Sequence, residues 1–288
     1  MPRPSIPPQK MMTGMFGHPV AENPIDRMFD AVYRHHGLNW QFWKCDIKSA
    51  DDVPAAIRGA KALGFSGFCI TVPYKLDVIP CLDAVDDDVR VIGAANYVTF
   101  EDGSMVGHNN DGKGVVKGIQ KVTPIAGRRV AMLGAGGAGR AMAIEIARAG
   151  AGHLTVITRR EPQGREVAEL VKRATGVPTA WSGWQGTVTP PPGTQILMNA
   201  THLGAAPELE PVPVDWSHVP VDTTVVDVIT NPRITPFLET ARATGCPVVD
   251  GVEMLVQLAM QIFEAWTGIV PDEKVFQEAV AAALAEGG

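Results

Sequence analysis

Apolar and polar positions along this chain switch repeatedly between a strand-like and a helical period. The run Gly14 to Val20 (GMFGHPV) suits a strand, and in Pro24 to His36 the apolar Ile25, Met28, Phe29 and Val32 fall on one face of a helix. Phe42 to Ile47 is strand-like. Ser49 to Leu63 is helical, with Asp51 and Asp52 in its first turn, and Gly67 to Val72 is a short β-rich run stopped by Pro73. Further on, Arg128 to Leu133 (RRVAML) reads as a buried strand, GAGGAG follows it directly, and Arg140 to Ala149 is a helix of small residues ended by Gly150 and Gly152. His153 to Thr158 (HLTVIT) is the next strand, completing a βαβ unit of about 30 residues. After a Pro-rich loop at Pro190 to Pro192 come two more strands, Gln195 to Thr201 and Thr223 to Thr230, then Val248 and Val249. The chain closes with helices over Val252 to Trp266 and Asp272 to Leu284, while residues 1 to 10 read as a flexible arm. There is no internal repeat. Strands alternating with helices predict an α/β fold with parallel sheet.

A length of 288 residues is about twice the common domain size, so the pattern is best divided between two domains. At 45% hydrophobic and 19% charged residues the chain lies far from disordered compositions. Its net charge of −6 disfavours a nucleic-acid partner. Cys45, Cys69, Cys81 and Cys246 are scattered without a CxxC pair, which predicts reduced, buried thiols and no metal centre. Prolines stand where a signal peptide needs an apolar core, and no apolar stretch reaches membrane-span length, so a cytoplasmic protein without membrane contact is expected.

Candidate chemistry begins at Gly134, Gly136 and Gly139, a G-x-G-x-x-G element with Gly137 inside it. Gly134 permits the tight turn, Gly136 lets the backbone approach a pyrophosphate, and Gly139 lets helix and strand pack closely. The helix N-terminus then faces the phosphates. At the end of the second strand an NAD site usually carries a carboxylate, but here Thr158, Arg159 and Arg160 offer a hydroxyl and two guanidiniums. Those groups suit the 2′-phosphate of NADP(H). Lys75 lies just past a strand in ITVPYK, and Asp111 sits in a turn between Asn110 and Gly112. Taken singly, a solvated lysine and an Asx turn account for these two equally well.

The order of motifs changes that balance. ITVPYK, GAANYV, GHNNDGKG, GAGGAGRA, MNAT, NPRITPFL and GVEMLVQLAMQIFEAWTG occur in the order and spacing of the shikimate dehydrogenase family, which the chain resembles over nearly its whole length from Gly14. The resemblance implies a substrate-binding and catalytic domain over residues 1–110 and an NADP-binding Rossmann domain over 111–251. It also implies C-terminal helices over 252–288 that return to the first domain. By matching position it implies a catalytic pair of Lys75 and Asp111, substrate contacts from Thr71 and Asn96, and a nicotinamide side lined by Asn199, Thr201, Gly251 and Met254. The residue types agree with ketone reduction. Negative charge develops on the carbonyl oxygen, an ammonium can stabilise it and deliver a proton, and a carboxylate can orient that lysine.

Departures from the family pattern bear on the substrate. Family members acting on shikimate carry Ser-x-Ser after the first Gly-x-Pro, where it holds the ring carboxylate, whereas this chain reads GHPVAENP with Glu22 and Asn23. The family's Asn, Gln and Tyr in later motifs are Cys69, Leu258 and Thr230 here. Gln261, three residues beyond Leu258, is a candidate to replace the lost glutamine, and Asn23 a candidate to touch the substrate. The expected activity is NADP(H)-dependent interconversion of ketone and alcohol on a cyclic polyhydroxy substrate of shikimate or quinate type. The alternatives are reduction of a carboxylate-free keto-sugar such as a keto-fructose, and a catalytically silent nucleotide-binding relative. Retention of Lys75 and Asp111 argues against silence. The partner expected is a small molecule, with a homodimer left open.

Overall fold

The computed structural model describes residues 10–286, so the N-terminal arm, apart from Lys10, lies outside the described residues. In chain order the elements begin with β1 (Met11–Gly17), α1 (Ile25–His35), β2 (Trp40–Asp46), α2 (Val53–Leu63), β3 (Phe65–Ile70), β4 (Ala84–Val85), α3 (Asp87–Ile92), β5 (Tyr97–Glu101), β6 (Ser104–His108) and α4 (Asp111–Gln120). They continue with β7 (Arg129–Leu133), α5 (Gly137–Arg148), β8 (His153–Thr158), α6 (Glu161–Thr175), β9 (Thr179–Gly183), β10 (Ile196–Asn199), β11 (Thr224–Asp227), α7 (Pro236–Ala243), β12 (Val248–Val249), α8 (Gly251–Thr267) and α9 (Glu273–Glu286). The chain divides into two compact units. The first comprises the described residues up to Val85, Ala95–His108 and the chain from Ile262 onward; the second comprises Asp86–Ala94 and Asn109–Gln261.

In the first unit the sheet runs β2-β1-β3-β5-β6-β4. β1 is parallel to both β2 and β3, while β5 is antiparallel to β3 and forms a hairpin with β6. The hairpin turns at Asp102 and Gly103, both with positive φ, as a tight two-residue turn with matching twist requires. The face expected of α1 is the one that is buried: Ile25, Met28, Phe29 and Val32. Phe29 stacks on Phe42 with ring centroids 4.9 Å apart, and Trp266 and Phe276 from the C-terminal helices close on it at 5.2 and 5.7 Å. The Trp266 indole N–H also donates to Val98 O at 3.0 Å, so the last helices belong to the first unit's core.

In the second unit all six strands are parallel in the order β12-β11-β10-β7-β8-β9. Numbered from β7, that is the doubly wound order 3-2-1-4-5-6, read from the β9 edge. β7, β8, β10 and β11 are buried along nearly their whole length, as burial between helical layers demands, while the edge strand β9 is partly exposed.

Several boundaries differ from the sequence expectation. β1 begins at Met11 rather than Gly14, because Met11, Met12 and Thr13 pair with Trp40, Gln41 and Phe42 and the ladder carries the strand further than its apolar pattern. The helix expected from Arg140 starts at Gly137, the glycine-rich turn itself being its first turn with Gly136 as N-cap. The strand expected to Thr230 ends at Asp227, whose side chain ties the following loop. Asp111 is the first residue of α4 rather than part of a turn, because Asn109 makes the Asx contact by accepting from the Asp111 N–H at 3.1 Å. Of the four thiols, Cys69 and Cys246 are buried but Cys45 and Cys81 are half-buried.

Candidate active site

The parallel arrangement of β1, β2 and β3 puts their carboxyl ends on one edge of the first unit's sheet, where ligands of open α/β sheets bind. The chain leaving β3 is fixed there by backbone hydrogen bonds. Thr71 N–H donates to Phe16 O at 2.9 Å, His18 N–H to Val72 O at 2.9 Å, and Tyr74 N–H to Thr71 O at 3.1 Å. The Tyr74 hydroxyl donates to Ile47 O at 2.7 Å, pinning the turn to the exit of β2. Lys75 follows at 9% exposure, its carbonyl accepting from Ala95 N–H at 2.8 Å. Asn96, 4% exposed, donates its N–H to His108 O at 2.9 Å and accepts from Ile70 N–H at 2.7 Å. Because β5 is antiparallel to β3, its start meets the end of β3. Thr71, Lys75 and Asn96 are therefore brought to one edge.

Asn23 lies before α1, half-buried, and its side-chain oxygen accepts from Ile25 N–H at 3.0 Å. Lys44 on β2 reaches into the same loop, donating to Ala21 O at 2.7 Å and Asn23 O at 3.3 Å and pairing with Asp26 at 3.2 Å. Glu22 is exposed.

In the second unit β7 has β8 on one side and β10 on the other, so its carboxyl end is the switch point of the sheet. Gly134 sits there with φ +104°, and a Cβ on it would stand 2.6 Å from Ala200 O. Only glycine fits that turn. Around Gly136, which caps α5, no atom lies within 4 Å of the Cβ position, so the loop has open space beside its backbone. Gly137 opens the helix and buried Gly139 packs under Gly134, 3.1 Å from its carbonyl oxygen at the Cβ position. This cradle at a helix N-terminus fits a pyrophosphate.

At the end of β8 the Thr158 hydroxyl donates to Arg160 O at 2.9 Å and accepts from the Trp181 indole N–H at 3.0 Å, so it shapes its own loop. Arg159 and Arg160 are exposed, and the nearest carboxylate in sequence, Glu161, pairs with Arg165 at 2.7 Å. Among the described residues no group of three or more His, Cys, Asp or Glu is arranged to hold a metal ion.

Comparison with known proteins bears on the family and the fold. Residues 15–98 match the family model of the shikimate dehydrogenase substrate binding domain. A shikimate dehydrogenase (NADP(+)) from Moorella thermoacetica is 36% identical over 281 residues, which span 94% of each chain. This chain belongs to the shikimate dehydrogenase family. Among solved structures, the ligand-free 5-ketofructose reductase of Gluconobacter sp. strain CHM43 is 38% identical with a TM-score of 0.87, over 95% of this chain and 99% of that one. A shikimate dehydrogenase in complex with NADP+ is 28% identical with a TM-score of 0.88, over 96% of each chain.

In this member of the shikimate dehydrogenase family, the loop after β10 is organised by a network that the sequence did not reveal. Asn199 is fully buried; its amide donates to Leu203 O and to Asp227 Oδ1, both at 3.0 Å, and its oxygen accepts from the Thr201 N–H at 3.1 Å and hydroxyl at 2.7 Å. Asp227, 1% exposed, also accepts from the Thr235 hydroxyl at 2.6 Å and Ile229 N–H at 3.1 Å. The available signal was a lone carboxylate inside the apolar strand VVDV. Burial pushes the Asp227 carboxyl up to about 6, against the opposing pull of its hydrogen bonds from Thr235, Ile229, Asn199 and Val228.

That shift has a pH signature. Between about pH 4 and 6 the folded protein keeps a proton on Asp227 that the unfolded chain has already released, so this group's contribution to stability falls as pH rises and is lost above 6. A shift of about two units corresponds to roughly 3 kcal/mol. The difference in unfolding free energy between wild type and Asp227→Asn, followed by urea titration from pH 4 to 7, should drift against the wild type by that order. A constant difference would show that Asp227 does not titrate in this window.

Asp111 is 2% exposed at the start of α4, where Asn110 donates its amide to Leu258 O at 3.0 Å. Buried Leu258 packs on Gly114 of α4. Gln261 turns its amide back to Gln257 O at 2.8 Å, so that donor serves its own helix. Buried Gly251 and Met254 lie on the first turn of α8. Lys75 and Asp111 belong to different units.

Proposed function

We propose that this protein is an NADPH-dependent reductase of a neutral polyhydroxy ketone of the keto-sugar class. It is an oxidoreductase of the NADP(H)-dependent, CH–OH-acting kind, as its family relatives are. The observation that carries the substrate reading is the loop of residues 18–24. It offers no hydroxyl side chain, its Asn23 oxygen is engaged at the start of α1, and the Lys44 ammonium reaching into it is held by two carbonyls and Asp26. A ring carboxylate finds no pair of hydroxyl donors there, whereas a sugar hydroxyl can still meet the Asn23 amide. The 38% identity to a 5-ketofructose reductase supports the same reading, and the 36% identity to a shikimate dehydrogenase supports an acid substrate as the competitor.

On this reading the first unit binds the substrate, with Thr71 and Asn96 contacting its hydroxyls, and Lys75 donates the proton to the nascent alkoxide. On the same reading Asp111 supplies the carboxylate of the catalytic pair. The Gly134–Gly139 loop takes the pyrophosphate, Arg159 and Arg160 the 2′-phosphate, and the Asn199–Thr201 loop with Gly251 and Met254 the nicotinamide side. When bound, NADPH supplies the hydride. Initial rates of NADPH oxidation with a panel of neutral keto-sugars and with 3-dehydroshikimate test the proposal. No turnover of any ketone would leave the silent nucleotide binder.

Cofactor choice gives a further expectation. A charge-assisted contact from Arg159 is worth roughly 1.5–3 kcal/mol, so Arg159→Ala should raise the KM for NADPH about ten- to a hundredfold and leave that for NADH nearly unchanged. Equal use of both cofactors by the wild type would place the arginines in solvent.

A further inference from the structure

We infer that Trp184 is a positioning residue for cofactor choice, holding the Arg159 guanidinium ready for the 2′-phosphate of NADP(H). This rests on the reading of Arg159 given above. The Arg159 guanidinium carbon lies 4.6 Å above the centroid of the Trp184 ring. The ring itself is held on two sides: Trp184 is 6% exposed, its backbone N–H donates to Thr158 O at 3.0 Å, and its indole N–H donates to Gly186 O at 3.0 Å. It is built into the second unit's core with Leu133, Ile157, Val188 and Leu203.

A guanidinium stacked by its face keeps its N–H edge directed outward in plane. The stack therefore restricts the rotamers of a long, exposed side chain without using the donors a phosphate needs, and the ordering cost on binding falls accordingly. β9, which Trp184 directly follows, also fixes the backbone of the loop. Trp181 holds the Thr158 hydroxyl, which in turn holds Arg160 O. Gly164 of α6 makes room for this, since a Cβ there would stand 2.2 Å from Trp181 Cδ1 and 2.3 Å from Thr158 Oγ1. The second stacked arginine shows the contrast. Arg165 lies 4.7 Å over Trp181 but is neutralised by Glu161 on its own helix, while among the described residues neither Arg159 nor Arg160 forms an ion pair. Arg159 thus combines a fixed position with an uncompensated charge, as an anion site requires.

Steady-state kinetics of Trp184→Leu and Trp184→Phe with NADPH and with NADH, on the ketone that the wild type turns over best, test the inference. Trp184→Leu is expected to raise the KM for NADPH roughly three- to thirtyfold at near-wild-type kcat and to leave the KM for NADH unchanged. Trp184→Phe should shift NADPH in the same direction by less, and it decides the question if the leucine variant does not fold. In a folded variant, KM values for the two cofactors that move together, or do not move at all, overturn the inference. Arg159→Ala separates the two levels. If it collapses the NADPH preference and Trp184→Leu does not, the positioning role alone fails; if it leaves the preference intact, the reading of Arg159 fails with it.

Discussion

Lys75→Ala should lower kcat by about 10²-fold or more while NADPH binding stays close to wild type. Reduction of a ketone builds negative charge on oxygen only as the reaction proceeds, so a group that neutralises it acts on the transition state and barely on the ground state. Lys75 is 9% exposed, at the carboxyl edge of a sheet beside Thr71 and Asn96, where little water competes for the developing oxyanion. Asp111→Asn keeps the shape of the α4 N-terminus but removes the carboxylate charge that the proposal assigns to the catalytic pair, and should act through kcat in the same way. Cofactor titration by fluorescence beside steady-state kinetics separates the effects. Turnover near wild type in Lys75→Ala would sink the mechanism, and a loss confined to NADPH affinity would move Lys75 to the cofactor site.

Neutral keto-sugars or their polyols should exceed shikimate and quinate in kcat/KM, each pair compared in the same direction, by roughly 10 to 10⁴-fold. Two hydroxyl donors to a carboxylate contribute charge-assisted hydrogen bonds of roughly 1.5–3 kcal/mol each, and the loss of one or both converts to that range at about 1.4 kcal/mol per decade. Glu22 would repel an anion that approached it, and one of the two N–H donors of the Gln261 amide is taken by Gln257 O. A neutral polyol loses nothing by the missing hydroxyls. Asn23→Ala should damage the neutral substrate alone, through the amide that Asn23 has left to donate. Efficient turnover of 3-dehydroshikimate with an ordinary micromolar-to-millimolar KM would overturn the proposal, and another cation or amide, such as His18 or Gln261, would then have to hold the acid.

The local patterns in the sequence were enough for the βαβ unit at Arg128 to Thr158, the buried face of α1 and the two closing helices, because each is set by side-chain period and glycine placement within a few residues. Collinear motifs were enough for the family. What the sequence could not decide depends on which strands become neighbours. Asn96 reaches the edge with Thr71 and Lys75 only because β5 enters antiparallel beside β3, and the ladder rather than the apolar pattern sets where β1 begins. Asn199 and Asp227 meet because β10 and β11 are adjacent, and Trp184 comes under Arg159 because β9 lies along β8. Asn23 and Gln261 stood out as polar residues near substrate motifs, but the backbone group that each of them contacts becomes visible only when the helices are formed. Hydrogen-bond partners and ring stacks are set by the packing of elements distant in sequence, and the period of a sequence carries no record of that packing.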